Sequence, residues 1–308
     1  MSTDSATADE RLDGVDGLGL VAAAVAVSAW GLSGVVAKEI AMGAMAIGAY
    51  RFGIYGLTML IVGFNTGARI DLAAMRASFW GGIALGADIA LFFSAVKLTT
   101  IVNATIIGAL QPVIVSVVAN RVFGESITKR DIQLGGVAIV GVVVVALGST
   151  GRPEWNLAGD LCAVGALFAW SAYFVANRLA KDSGASPRQY TTCTALYSSA
   201  IATPLALIFG QSLAWPSWTN WGWLIGLAFG AGLLGHEMMN WSLRRIPIWL
   251  GSTFTLVVPV ISSLAAWVWL GEPLNLLQGV AMAVVLGALA LIVTGQTTVT
   301  RKKRPLRR

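Results

Sequence analysis

Apolar and polar positions alternate along this chain on one coarse scale: runs of about 20 mostly apolar residues, each closed by a short polar connection. Ten runs are read, at 17–38, 43–65, 78–97, 100–121, 131–149, 158–179, 189–210, 220–243, 247–270 and 275–295. About 20 apolar residues at 1.5 Å each cross roughly 30 Å of hydrocarbon, so each run predicts a membrane-spanning helix. The runs are about twice as long as an outer-membrane barrel strand requires, and they lack its period-two alternation. The predicted fold is all-α and integral to the membrane, with ten transmembrane helices and no room for a soluble domain.

Two of the runs end on the same phrase. "VFGES" closes residues 122–126 and "WLGEP" closes 269–273, so Gly124–Glu125 and Gly271–Glu272 stand 147 residues apart. At that offset "AVKLTTIVNATIIGALQPVIVSVVANRVFGES" (95–126) lies without a gap over "SLRRIPIWLGSTFTLVVPVISSLAAWVWLGEP" (242–273), matching Pro112 with Pro259 and Ser116 with Ser263. Earlier in each half the offset is 140, where "AVSAWGLSGVVAK" (26–38) lies over "ALFAWSAYFVANR" (166–178) and Trp30 matches Trp170. The chain therefore divides into a tail at 1–16, a first five-helix repeat at 17–149, a linker at 150–156, a second five-helix repeat at 157–296 and a basic tail at 297–308. Because five is odd, the second copy enters the membrane from the opposite face, which predicts inverted repeats.

Composition agrees with this reading. Hydrophobic residues are 56% of the 308, charged residues only 12%, and mean hydropathy is +0.74; soluble domains carry about 25% charge. Charge placement then sets orientation. With the N-terminus inside, 17 of the 21 Lys and Arg fall on the inner side and three on the outer, with Arg51 inside a span. Both termini are therefore expected in the cytoplasm of a plasma (bacterial inner) membrane. The acidic first sixteen residues lack the features of a signal peptide. The tail TRKKRPLRR is expected to meet anionic lipid rather than nucleic acid. Cys162 and Cys193 both fall within spans and are expected to pack as small apolar side chains, with no disulfide and no metal.

Two five-helix halves, a central proline followed by "GE", "AW" in the first span of each half and "YRFG" early in span 2 resemble the ten-span EamA branch of the drug/metabolite transporter superfamily. The resemblance covers residues 17–295. It implies an export carrier for small metabolites or amino acids, with a central cavity between the halves. This sequence departs from a strict duplication where Thr191 matches Arg51, and in a shorter 9–10 than 4–5 connection.

Charge within hydrocarbon is the sharpest chemical signal, at about 2.5–3.5 kcal/mol per unpaired Asp or Arg near the centre. Arg51, Asp88 and Glu237 are the three cases. They either pair with one another and with backbone to fix helix packing, or at least one contacts a zwitterionic substrate or exchanges a proton. Helical spacing adds faces: Trp30 and Ser33 in span 1, the matched Trp170, Tyr173 and Asn177 in span 6, and His236 with Asn240 in span 8. Tyr50 and Asn103 complete the candidate solute contacts. Those aromatics either stack on a substrate side chain or only pack the bundle. "HEMMN" (236–240) is half a zinc-protease helix, but Asn240 stands where the second histidine is needed and His236 is the sole histidine.

Pro112 and Pro259 are expected to kink spans 4 and 9, freeing the carbonyls of Gly108 and Thr255, as hinges or as static bends. Gly222, Gly226 and Gly230, at four-residue steps, are expected to let helices approach closely within the monomer. Trp215, Trp218, Trp221 and Trp223 are expected at the outer interface.

No GxxxxGK[ST], GxSxG or HExxH occurs, so neither ATP hydrolysis nor a membrane hydrolase is indicated, and no cofactor is called for. The expectation is a monomeric secondary transporter, not an enzyme. It exports amino acids foremost, with a multidrug or other metabolite exporter as the alternative and a membrane-embedded enzyme or sensor as the reading from another class. Its partners are a small solute, lipid and, as a candidate coupling ion, the proton.

Overall fold

Polar residues at the run boundaries set where helices begin. The computed structural model describes residues 16–65, 70–149 and 156–303, so all but the last residue of the expected tail at 1–16, most of the linker at 150–156 and residues 304–308 of the second tail lie outside the described residues. The helices are α1 (Gly17–Lys38), α2 (Ala44–Asn65), α3 (Leu72–Leu98), α4 (Ile101–Gly108), α5 (Gln111–Phe123), α6 (Lys129–Ser149), α7 (Leu157–Asp182), α8 (Pro187–Ile208), α9 (Trp218–Leu227), α10 (His236–Ser242), α11 (Ile248–Phe254), α12 (Val258–Leu270) and α13 (Leu276–Lys303). Asp16, Asp71 and Asn156 accept from the amides of Leu18, Ala74 and Gly159, and Ser186 with Gln189 forms a reciprocal capping box. α2 is capped from a distance: the Gln211 Oε1 accepts from the amides of Met45 (2.8 Å) and Ala46 (3.1 Å).

Nine helical stretches among the described residues are long and apolar enough to cross a membrane, and no strand occurs among them. The expected span at 220–243 is helical as well, but in pieces: α9, a π-helical stretch at Ala228–Gly235, and α10. Large apolar side chains such as Phe64, Trp80, Val268 and Leu276 stand exposed on the perimeter, where lipid rather than water is the partner.

"GE" now has a structural account. Gly124 (φ 66°) and Gly271 (φ 68°) end α5 and α12 in the left-handed conformation that favours glycine. The next amide, of Glu125 or Glu272, donates back to Ala119 (3.0 Å) or Ala266 (3.3 Å), residues that are themselves 147 apart. Both repeats thus end this helix by the same turn, and each turn sets a glutamate at the bundle's end.

The prolines act at helix starts rather than mid-helix. Pro112 and Pro259 sit in the first turns of α5 and α12, after breaks at 109–110 and at a 3₁₀ turn over Thr255–Val257. The Thr255 carbonyl is not freed as expected, because the Val258 amide takes it through the tighter turn.

Glycine-mediated contact occurs at different positions from those expected. A methyl group at Gly222, Gly226 or Gly230 would meet nothing within 4 Å, so that stripe makes no close contact within the monomer. Close approach occurs instead where α3 meets α8, with Gly82 against Tyr197 and Gly86 against Ile201, and where Gly159 of α7 meets the backbone at Leu98 and Thr99. A Cβ on Gly159 would lie 2.6 Å from the Thr99 nitrogen and 2.8 Å from the Leu98 carbonyl carbon, neither able to move alone. Gly159→Ala is therefore expected to destabilise by about 1–3 kcal/mol, as core overpacking does. A melting temperature of detergent-purified protein equal to the parent's would contradict it. Of the four tryptophans, Trp215 and Trp218 are exposed as expected, whereas Trp223 packs on the core and on Trp269 at 5.9 Å.

Candidate functional site

The middle of the bundle is an aromatic cage closed around His236. α1 contributes Trp30, α2 contributes Phe52 and Tyr55, and α7 contributes Trp170, Tyr173 and Phe174. Ring centres lie 5.2 Å from Trp30 to Trp170, 5.2 Å from Trp30 to His236, 5.8 Å from Phe52 to His236 and 5.7 Å from Tyr173 to His236. These are the offset and edge-on separations at which ring quadrupoles attract.

Glycine in the π-helical stretch "AFGAGLLG" permits this closeness. A Cβ at Gly235 would lie 2.6 Å from Trp30 Nε1, and one at Gly232 would lie 2.7 Å from a Tyr55 ring carbon. The widened turn also presents the Ala231 carbonyl sideways, where it accepts from Trp30 Nε1 (3.1 Å) and Arg51 Nη2 (3.4 Å). Such π turns within helices occur frequently at functional sites.

Below the cage runs a fully enclosed polar network. Tyr173 Oη lies 3.2 Å from His236 Nδ1 and donates to Asn240 Oδ1 at 3.1 Å. Asn177 Nδ2 donates to the same oxygen at 2.7 Å, and Asn240 Nδ2 donates to the Thr191 hydroxyl at 2.9 Å. Tyr173, Asn177, Thr191, His236 and Asn240 are at most 2% exposed, so each of these polar groups depends on the others.

Three charged groups border the cage, and none of them forms an ion pair among the described residues. Arg51 is half-buried; its Nε is enclosed and unpartnered, and its guanidinium carbon sits 5.0 Å from the Phe52 ring centre. Asp88 is half-buried on α3 and acts electrostatically on Arg51, yet among the described residues the two form no ion pair. The Glu237 Oε2 is enclosed without a hydrogen-bond partner, with Thr191, Arg188 and Arg244 as its polar surroundings. A cation, aromatic rings and two carboxylates are the group types that recognise a small solute bearing both charges and an apolar part.

The remaining candidates lie apart. Tyr50 donates to the Leu213 carbonyl at 2.9 Å and stacks edge-on with Trp221, which ties it to the 209–217 connection. Ser33 donates to the Trp30 carbonyl within its own helix. Asn103 joins Thr99 and Asp160 at the start of α7 (3.1 and 3.0 Å), ten residues or about 15 Å along that helix from Trp170. Phe52, Tyr55 and Phe174 carry no sequence signal separating them from core aromatics, and Ala231 contributes only its backbone.

At the bundle's end, Glu125 reaches across from the first half. Its two oxygens accept from the amides of Ile248 (3.0 Å) and Trp249 (3.3 Å), at the start of α11. Burial pushes its carboxyl above the usual range, against those two amides and the nearby Arg178 and Lys181.

Comparison with known proteins places these features in one family. The model of the EamA-like transporter family matches residues 17–147 and 157–294. The transporter YyaM of Bacillus subtilis is 27% identical over 78% of this chain and 82% of its own length. A Salmonella typhimurium protein named as an amino-acid metabolite efflux pump is 27% identical over 56% of this chain and 61% of its own. The aromatic amino acid exporter YddG of Ancylobacter novellus is 25% identical over 56% and 60%. A crystal structure superimposes with a TM-score of 0.79 at 19% identity, covering 91% of this chain and 98% of that one, a likeness of fold. This chain belongs to the EamA-like transporter family of the drug/metabolite transporter superfamily, and it is a membrane-embedded, multi-span protein.

Proposed function

We propose that this protein is an ATP-independent exporter of amino acids that works by alternating access between two inverted five-helix repeats. The observation that carries the reading is the set Arg51, Asp88 and Glu237, none of them ion-paired among the described residues, near the Trp30–Trp170 wall. A solute carboxylate takes the Arg51 fork, an ammonium takes Asp88 or Glu237, and an apolar side chain lies on the rings. The names of the relatives from Salmonella and Ancylobacter support the same solute class.

Contacts between the halves come in twinned pairs, which supports a twofold relation between the repeats, and five crossings per repeat make that relation an inversion. α3 packs on α7 as the Trp218–Ser242 stretch packs on α1, and α1 packs on α12 as α7 packs on α4 and α5. α2 with α8, and α6 with α13, are their own twins. On this reading Trp218–Ser242 is the eighth of ten crossings, and both termini face the cytoplasm of the inner membrane. Lys38–Glu272 at the far end of α1 and Arg245–Asp16 at its start then mark the outer and inner faces. The enclosed Tyr173–Asn177–Asn240 network lies towards the inner face, which is closed in this conformation.

Counterflow in liposomes tests the proposal. Protein preloaded with unlabelled amino acids should take up labelled ones saturably, and repeating the assay across a pH gradient reads coupling to protons. Uptake of hydrophobic cations alone would replace the amino-acid reading with that of a drug exporter.

A further inference from the structure

The two "GE" glutamates match in sequence but are used differently, and that asymmetry lies between repeats that end in the same turn. At the inner end Glu125 seals the first two amides of the Ile248–Leu270 stretch, whose preceding residue, Pro247, offers no side-chain cap. Every residue of α11 there is buried, and α11 packs on α5 of the other repeat. At the outer end Glu272 rests on Lys38 at 2.8 Å, with both side chains about half exposed (42% and 57%). At the offset of 147, Ile248 and Trp249 match Ile101 and Val102, the first two residues of α4. First-turn amides have no partner within their own helix, and the Thr100 hydroxyl serves only the third, of Asn103. α4 is partly exposed and makes no contact with α12 comparable to that of α11 with α5. The resting cations are twins as well: Lys38 matches Arg178 at the offset of 140, and Arg178 stands within electrostatic reach of Glu125.

We infer that Glu125 and Glu272 form an exchange latch: Glu125 locks the inner end by capping α11 in this conformation. When the protein turns over, Glu125 falls back to Arg178, and Glu272 leaves Lys38 to cap Ile101 and Val102, locking the outer end. The inference rests on the two-state carrier proposed above. It assigns the alternation to one pair of carboxylates, each bonding a helix start only when its own end is closed. A carboxylate accepting two amides holds that end with charge-assisted hydrogen bonds that water replaces poorly.

The test uses full-length protein in liposomes with Cys162→Ser, Cys193→Ser and a reporter Leu250→Cys, whose parent side chain is buried in α11. Labelling of position 250 by maleimide reports opening of the inner end. Glu125→Ala is expected to raise the labelling rate about tenfold and Glu272→Ala to lower it by a similar factor, from the loss of one capping pair in each case. Lys38→Ala, a change at an exposed side chain, frees Glu272 and should move labelling in the same direction as Glu125→Ala, so the test survives if Glu125→Ala misfolds. Saturable counterflow by the parent with both glutamate variants unchanged, or shifted the same way, overturns the latch and leaves the carrier standing. Absence of counterflow by the parent for amino acids and hydrophobic cations alike removes the carrier and the latch with it.

Discussion

Arg51→Gln is expected to raise the KM for amino-acid counterflow about 100-fold while leaving the melting temperature unchanged or higher. Each hydrogen bond to a charged group contributes about 1.5–3 kcal/mol, so losing the guanidinium fork from a carboxylate removes at least a factor of about 100 at 1.4 kcal/mol per tenfold. Stability moves the other way, because the protein gives Arg51 little in return for enclosing it. Its hydrogen bond is a 3.4 Å contact to the Ala231 carbonyl, its Nε has none, and among the described residues it forms no ion pair with Asp88. Removing a poorly matched charge from a span relieves a cost of about 2.5–3.5 kcal/mol. Arg51→Lys should lose about tenfold, since an ammonium keeps the charge but not the planar fork. Transport by Arg51→Gln within threefold of the parent would show that Arg51 is a packing residue. A large drop in melting temperature would show that it is matched by partners the cage conceals.

The sequence disclosed the bundle because hydrophobic run length is nearly sufficient to specify a membrane helix. Apart from α3, which begins at Leu72 rather than 78, and α13, which continues to Lys303 past the expected end at 295, the helix boundaries follow the expected runs closely. The aromatic line Trp30, Trp170 and Tyr173 was legible because a three-residue step places side chains on one face and the 140-residue offset repeated the pattern. Phe52, Tyr55 and Phe174 were not legible, since an aromatic ring in an apolar span looks the same whether it faces lipid, core or solute. The π-helical stretch also escaped, because its glycines differ from packing glycines only through what approaches them, Trp30 at Gly235 and Tyr55 at Gly232. Gly222, Gly226 and Gly230 failed as a contact for the same reason: spacing identifies a face without identifying its neighbour. Asn103 is a candidate contact by sequence, and its partners Thr99 and Asp160 hold it at the bundle's end.

Asn240 separates the two roles that polar residues play in this interior. Its helical face predicts a solute contact, yet its amide group is fully enclosed and bonded to Tyr173, Asn177 and Thr191. Asn240→Leu, close in volume, strands the Asn177 amide, at about 1–3 kcal/mol for a buried group left unpaired, and takes one partner each from the Thr191 and Tyr173 hydroxyls, which keep the Pro187 carbonyl and His236 Nδ1. A net loss of about 2 kcal/mol is expected, appearing as a lowered melting temperature with little change in KM. Replacing both ends of one bond, Asn177→Leu with Asn240→Leu, should cost less than the sum of the single changes, since two apolar partners leave no stranded donor between them. A raised KM at unchanged stability would instead put Asn240 against the solute. The double variant decides whether the network acts as one cooperative plug: additive losses would mean its bonds are held independently, and sub-additive losses would mean that Tyr173, Asn177 and Asn240 close the inner half together. In the latter case opening the inner end requires breaking that plug as well as releasing Glu125 from α11, so the barrier to turnover is shared between a buried amide network and a carboxylate at the rim.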